Sequence, residues 1–142
     1  MARQLSIFAE NKPGRIEKIT RLLSQEKINI RAITISSANG FGIIKILASE
    51  PQKAFDLLRN HNFPVDLQEV IAVVMDDEPG GLHRVAQTLA EHQINIEDAY
   101  GFVIESGEKA VLVIQVENKP QARSILEKNG FQLLSDEEIY HL

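Results

Sequence analysis

The sequence predicts an α+β fold made of two tandem copies of one β-α-β-β-α-β unit, and two observations support this prediction. The first is an internal repeat: Pro13-Gly14 and Pro79-Gly80 lie 66 residues apart, and so do the Ile-Asn-Ile triplets that begin at Ile28 and Ile94. The second is the hydrophobic pattern: the first copy alternates with a period of two residues ahead of Pro13-Gly14, and apolar residues recur at helical spacing after each Pro-Gly pair. A repeat of this length is long enough to form a small α+β unit.

The first strand and first helix of each copy follow from these periods. QLSIFA, residues 4–9, has the two-residue period of a half-buried strand, with Leu5, Ile7 and Ala9 on one face and Gln4, Ser6 and Phe8 on the other. After the Pro-Gly pair, apolar residues recur at the spacing of one helix face. These residues are Ile16, Ile19, Leu22 and Leu23 in the first copy, and Leu82, Val85, Ala86, Leu89 and Ala90 in the second.

Two strands, a helix and a last strand complete each copy. INIRAITIS (28–36) and FGIIKILA (41–48) form a predicted hairpin through Asn39-Gly40, and INIEDAYGFVI (94–104) pairs with KAVLVIQV (109–116) through a turn at Ser106-Gly107. Capping patterns that begin at Ser49 and Asn118 predict the second helices. Final strands are expected near FPVDLQ (63–68) and FQLLSD (131–136).

This order is the ferredoxin-like arrangement, with an antiparallel four-stranded sheet and two helices on one face. We expect one domain over residues 1–69 and a second over residues 70–142, with almost no linker between them. The fold alone does not identify a function.

Composition excludes several classes of protein. Apolar residues make up 44% of the chain and charged residues 25%, and there is no Cys, no apolar stretch near the about 20 residues of a membrane span, and no signal-peptide core. We therefore expect a folded cytoplasmic protein. Residues 1–69 carry ten Lys and Arg against seven Asp and Glu, whereas residues 70–142 carry five against thirteen, which disfavours a general polyanion binder.

The Pro-Gly loops are the candidate binding sites. A helix N-terminus presents free N–H groups, so a carboxylate would be well placed over residues 14–16 or 80–82. Asn11 and Asp77, two residues before each proline, could hold an ammonium group. A ligand with both groups a few ångströms apart is a free α-amino acid. The alternative is that each Pro-Gly pair serves only to form a turn, since both residues are favoured there.

The segments ENKPGRIEKITRLLSQEKINI and DEPGGLHRVAQTLAEHQINI resemble the opening β-α-β of ACT domains, small regulatory modules that bind amino acids, and the resemblance covers essentially the whole chain as two copies. It implies that ligand lies between this loop of one unit and the second strand of a neighbouring unit. The residues so implied are Asn11, Pro13, Gly14, Arg15, Asn29 and Ile30 in the first copy, and Asp77, Pro79, Gly80, Gly81, Leu82, Asn95 and Ile96 in the second.

Differences between the copies predict unequal sites. Asp77 is at the position that corresponds to Asn11, and Gly81 is at the position that corresponds to Arg15. Asn29 and Asn95 could instead be structural, since Asn suits a turn between a helix and a strand.

Other functions fit the sequence less well. An RNA-recognition module has the same element order, and Phe8 and Phe41 could stack on bases, but the second copy has no matching aromatic residues. No nucleophile with a base, H-E-x-x-H motif, P-loop or dinucleotide-binding motif is present. The four His residues are scattered, and the run Asp76 to Glu78 does not have the spacing of a metal site. We therefore expect no catalytic residue, no metal and no cofactor.

The sequence thus predicts a non-enzymatic, allosteric amino-acid sensor that acts by shifting a packing equilibrium when ligand binds. Exposed edge strands favour a homodimer, and neither nucleic acid nor membrane is an expected partner. The alternative is a constitutive interaction subunit of a metabolic enzyme, with empty sites.

Overall fold

The computed structural model describes every residue from Met1 to Leu142 and contains seven strands and five helices. They are β1 (Ala2–Glu10), α1 (Arg15–Gln25), β2 (Ile30–Ala38), β3 (Phe41–Ala48), α2 (Pro51–Asn60), β4 (Val65–Asp76), α3 (Gly81–Glu91), β5 (Asp98–Glu105), β6 (Lys109–Gln115), α4 (Lys119–Lys128), β7 (Leu133–Leu134) and α5 (Asp136–Tyr140).

The chain divides into two compact units. The N-terminal unit comprises Arg3–Glu69 with Ile139–His141, and the C-terminal unit comprises Val70–Glu138 with Met1–Ala2 and Leu142. Strand β4 runs without a break through the change from one unit to the other at residues 69 and 70. No helix of the chain has the length and apolar character needed to cross a bilayer.

The sheet of the N-terminal unit has the strand order β2-β3-β1-β4. Strand β3 pairs antiparallel with both β1 and β2, and Ile44 lies opposite Ile7 on one side and opposite Ile35 on the other. Residues directly opposite each other in a sheet project from the same face. These three isoleucines therefore share one face.

Both helices of this unit pack on that same face. Its core joins Ile19 and Leu23 of α1 and Ala54 and Leu58 of α2 to alternate residues of the strands, namely Leu5, Ile7, Ile44 and Ile46. Burying a Leu or Ile side chain contributes about 1.5–3 kcal/mol, so this layer holds the helices on the sheet.

The C-terminal unit repeats the arrangement. Strand β6 pairs antiparallel with β4 and β5, and β7 pairs with the other side of β4. The core contains Ile71, Val73, Val85, Leu89, Leu112, Ile114, Ala122 and Leu126. The predicted α+β class and antiparallel pairing are confirmed. Strand β7 has only two residues, because α5, which the sequence patterns do not predict, begins at Asp136.

Glycine rather than proline sets two of the helix starts. Proline is favoured at the first position of a helix, but α1 and α3 begin after left-handed caps at Gly14 and Gly80, each with φ of 90°, so Pro13 and Pro79 precede the caps. Glycine is favoured at such a φ because it has no Cβ to clash. The predicted Ser49 cap is wrong, since the cap of α2 is Glu50.

The remaining turns follow the sequence closely. Asn118 accepts a hydrogen bond from the Gln121 N–H at 3.1 Å, as its capping pattern predicts. Asn39 and Gly40 have φ of 55° and 81°, the left-handed pair expected of a tight hairpin. Strand β5 begins at Asp98, so Ile94 to Ile96 lie before it rather than within it.

Candidate ligand site at the Pro-Gly loops

The loop between β1 and α1 is held in place by the β2–β3 hairpin. The Asn11 N–H donates to the Gly40 carbonyl at 2.9 Å, and the Asn11 side-chain amide donates to Ser37 Oγ at 3.0 Å. No side chain caps the first turn of α1. The loop therefore presents the start of α1 with N–H groups that no capping side chain uses.

A cavity of about 210 Å³ lies against this loop. One side is polar and consists of residues 10–14 with Arg15 of α1. The other side is apolar and draws on three strands and one helix: Ala9, Ile16, Ile35, Gly42 and Ile44. The cavity thus has a polar rim and an aliphatic floor, as small-molecule sites commonly do.

The charges around the cavity leave one cation unpaired. Lys12 and Glu10 form an ion pair at 2.5 Å, and the hydrogen bond from Lys12 holds the pKa of Glu10 below its ordinary value. Lys12 is therefore engaged by a carboxylate, whereas Arg15 forms no ion pair. Its guanidinium and the start of α1 both favour an anion on the polar side.

The matching loop of the C-terminal unit is closed onto its own strand. Asp77 Oδ2 accepts a hydrogen bond from the Gly107 N–H at 2.7 Å, so this carboxylate is engaged by the β5–β6 turn. A Cβ placed on Gly81 would lie 2.0 Å from the Asp76 carbonyl oxygen. No side chain fits at this position, where the first copy carries Arg15.

Two carboxylates of the acidic run from Asp76 to Glu78 pair with a single cation. Arg84 contacts Glu78 at 2.7 Å and Asp76 at 3.0 Å. Its pKa is raised, first by the hydrogen bond to Glu78. No group of three His, Cys, Asp or Glu side chains in the chain is arranged to hold a metal ion. The two Pro-Gly loops therefore have the same backbone conformation at the helix cap. The first borders a cavity and the cation Arg15, whereas the second borders carboxylates that are paired with Arg84.

Comparison with known proteins identifies the family. A family model described as an ACT domain pair matches residues 1–142. The chain belongs to the ACT domain pair family. A sequence comparison with curated proteins finds no significant match.

Several solved structures resemble this ACT domain pair. Protein BT0572 from Bacteroides thetaiotaomicron has a TM-score of 0.92 at 33% identity, over 99% of this chain and 96% of that one. The regulatory subunit of aspartate kinase from Thermus thermophilus, in its ligand-free form, has a TM-score of 0.65 at 17% identity, over 91% and 93%. Aspartate kinase from Synechocystis has a TM-score of 0.57 at 18% identity, over 89% of this chain and 24% of that one. At these low identities the two kinase structures show a shared fold.

The ACT pair does not bring all the predicted residues of the first copy together. Asn11, Pro13, Gly14 and Arg15 line the cavity, but Asn29 and Ile30 do not. The Asn29 N–H donates to Ser49 Oγ at 3.0 Å, and its carbonyl accepts from the Ser49 N–H at 2.8 Å. Asn29 therefore joins the start of β2 to the end of β3 and has a structural role within this unit.

The residues of the second copy are more dispersed. Pro79 and Gly80 are exposed in the loop, and Leu82 is 52% exposed at the start of α3. Asn95 is also exposed, while Ile96 packs against the core. A separate cavity of about 490 Å³ in this unit is lined by Arg123, Phe131 and Leu134 among others and contains none of the predicted residues.

The sequence motifs do not predict the apolar floor of the first site. Ile35 and Ile44 belong to the alternation already visible in the strands, but only the β2–β3 register places them side by side on the helix face. Strand β2 is the edge of its sheet, so Ile33 and Ile35 remain 40% and 51% exposed beside the cavity. The exposed apolar edge therefore adjoins the predicted loop.

Proposed function

We propose that this ACT domain pair is a non-enzymatic cytoplasmic regulator that binds a free amino acid in the cavity of its N-terminal unit. The observation that carries the proposal is the cavity itself, which combines an anion-binding end with an aliphatic floor. The start of α1 and Arg15 receive the carboxylate, because both present positive charge to the polar side. The side-chain amide oxygen of Asn11 (Oδ1) accepts a hydrogen bond from the ammonium group.

The floor selects the side chain of the ligand. Ile16, Ile35 and Ile44 offer only apolar surface, so a charged or amide side chain would lose its water without gaining a partner. The space of about 210 Å³ suits a small ligand. The amino acid is therefore one with a short aliphatic side chain.

A second copy of the chain completes the site. The edge strand β2 exposes Ile33 and Ile35 next to the cavity, and an edge with apolar side chains favours pairing with another strand. A two-fold dimer that pairs two β2 edges would cover both residues and one side of the ligand. Ligand would then stabilise this arrangement over others, which is the linkage a regulator needs.

A thermal-shift panel of the twenty amino acids tests the proposal. Ligand at about 100 times its Kd stabilises the folded state by roughly 2.7 kcal/mol, which is on the order of 5–10 °C in Tm for a chain of this size. We expect shifts from aliphatic amino acids and none from their amides, which lack the carboxylate. Asn11→Leu should abolish the shift.

The internal repeat supplies a matched control for that variant. Asp77→Leu changes the corresponding residue of the second loop and should leave the ligand shift intact, whatever it does to the basal Tm. A folded protein whose Tm responds to none of the twenty amino acids would contradict the sensor function. Loss of the shift in Asp77→Leu but not in Asn11→Leu would move the site to the other unit.

The closed second loop favours a different function for the C-terminal unit. Because no side chain fits at Gly81 and Arg84 already pairs with Asp76 and Glu78, this loop has little to offer a ligand. The C-terminal unit would then act as a constitutive interaction surface for a metabolic enzyme. Co-purification of an enzyme through the C-terminal surface, with ligand binding confined to the N-terminal unit, is the expected result.

A further inference from the structure

A second cavity of the N-terminal unit, which we name the aromatic pocket, lies at the open end of β1. Its volume is about 490 Å³, and Phe8, Phe41 and Phe63 contribute its rings. The Phe8 N–H donates to the Pro64 carbonyl at 2.9 Å, so β4 flanks β1 only up to this point. The pocket occupies the space beyond, where residues 9 and 10 have no strand on that side.

The rings of the pocket are unusually exposed for their size. Phe8 is 53% exposed and Phe41 is 50% exposed, and their centroids are 5.9 Å apart with the planes inclined by 21°. The two side chains project from the face opposite the helices, since Phe8 lies opposite Ile43 and the buried Ile7 opposite Ile44. The two rings stack on each other, and we call this pair the platform, because an outer ring face can stack against a further planar group.

Two cations lie at the other side of the same pocket. Arg15 and Lys18 are one helical turn apart on α1, so both side chains can reach one anion. Neither forms an ion pair, and the Lys18 ammonium lies 5.6 Å from the centre of the Phe63 ring. Glu10 also lines the pocket; its carboxylate pairs with Lys12, and its pKa is lowered first by Lys12 and to a smaller extent by the charge of Arg15. The pocket therefore has a net positive end.

The repeat shows that these features are not required by the fold. At the matching positions of the C-terminal unit, Val74 replaces Phe8, and Lys109, opposite Asp76, replaces Phe41. Arg84 replaces Lys18 but is engaged by two carboxylates. The platform and the two cations that form no ion pair, Arg15 and Lys18, are therefore both confined to the first copy.

We propose that the aromatic pocket binds a small planar anion of the nucleoside monophosphate class. The base would stack on Phe8 and Phe41, and the phosphate would lie between Arg15 and Lys18. Two free cations suit a phosphate dianion better than a single carboxylate. Stacking on phenyl rings accepts any base, so the pocket would not select one base strongly. This site and the proposed amino-acid cavity share Arg15, so the two ligands would use the same guanidinium.

Calorimetric titration of the full chain with AMP, adenosine and ribose 5-phosphate tests this inference. AMP should bind at least about 10-fold more tightly than either fragment, because it alone engages both ends of the pocket. A Phe8→Val, Phe41→Val double variant removes both rings without adding a charge and should weaken AMP binding roughly 5- to 100-fold. Lys18→Gln should weaken it about 1.5- to 5-fold, the size of one exposed charge contact.

Arg21→Gln is the matched control, because Arg21 is an exposed cation further along α1 that pairs with Glu17 and does not line the pocket. It should leave AMP binding unchanged. No saturable AMP binding, or equal binding in the double variant, overturns the inference. So does a dimer that dissociates when Phe8 and Phe41 are changed, since the platform would then be an interface. A single-stranded oligonucleotide that binds far more tightly than AMP would assign the platform to RNA instead.

Discussion

Gly81→Ala tests whether the second Pro-Gly loop is closed onto its strand. An added Cβ would lie 2.0 Å from the Asp76 carbonyl oxygen, whereas real Cβ contacts essentially never fall below 3.0 Å. The helix start or the end of β4 must therefore move by about 1 Å. Arg84 resists that movement, because it ties Asp76 and Glu78 to α3. Such overpacking typically costs about 1–3 kcal/mol.

Urea denaturation measures this cost directly. Gly81→Ala should lower the midpoint without changing the slope, since the folded and unfolded surfaces are nearly the same. Gly42→Ala is the control: its Cβ would meet the Ser36 and Ala9 carbonyl oxygens at 3.5 and 3.6 Å, which are ordinary contacts. We expect it to be neutral, or more stable by up to about 1 kcal/mol. If Gly81→Ala is as stable as Gly42→Ala, the second Pro-Gly loop is not closed onto β4. The proposed difference between the two Pro-Gly loops would then be wrong.

Three further predictions follow from single side chains. Gly14→Ala should cost about 1–2 kcal/mol in urea denaturation, because its φ is 90° although nothing lies within 4 Å of the new methyl group; a neutral result would contradict the left-handed cap. Leu58→Ala removes a fully buried side chain that joins α2 to the sheet and should cost about 2–5 kcal/mol by the same measurement, and a loss under about 1 kcal/mol would exclude that packing. Burial raises the pKa of Tyr100 above its ordinary 10.0, so the unfolded state ionises first and stability should fall as pH rises above about 10; Tyr100→Phe should reduce that fall, and an identical alkaline profile would refute it.

The predicted order of elements is largely correct because each signal is local. Alternation in residues 4–9, helical spacing from Ile16, and the Asn39-Gly40 turn depend only on residues a few positions apart. The wrong details arise where a distant partner intervenes. Ser49 bonds with Asn29 across 20 residues instead of capping α2, which the capping pattern alone does not reveal.

The candidate site was predictable only on its polar side. Asn11, Pro13, Gly14 and Arg15 are contiguous, so a motif identifies them together. The aliphatic floor takes Ile35 and Ile44 from two strands, and their proximity depends on a register that the motif does not contain. The exposure of Phe8 and Phe41 likewise depends on which face of the sheet the helices cover.

The chain's own residue order was enough to establish the repeat, the α+β class and the two loops, because hydrophobic period and turn chemistry act over short distances. Which loop offers a cavity was decided by tertiary packing. The caps at Gly14 and Gly80 have the same φ of 90°, yet one loop stands beside open space while the other is pressed against the Asp76 carbonyl. The difference between Arg15 and Gly81 was visible in the sequence, but its physical reason is a contact of 2.0 Å that only the folded chain creates.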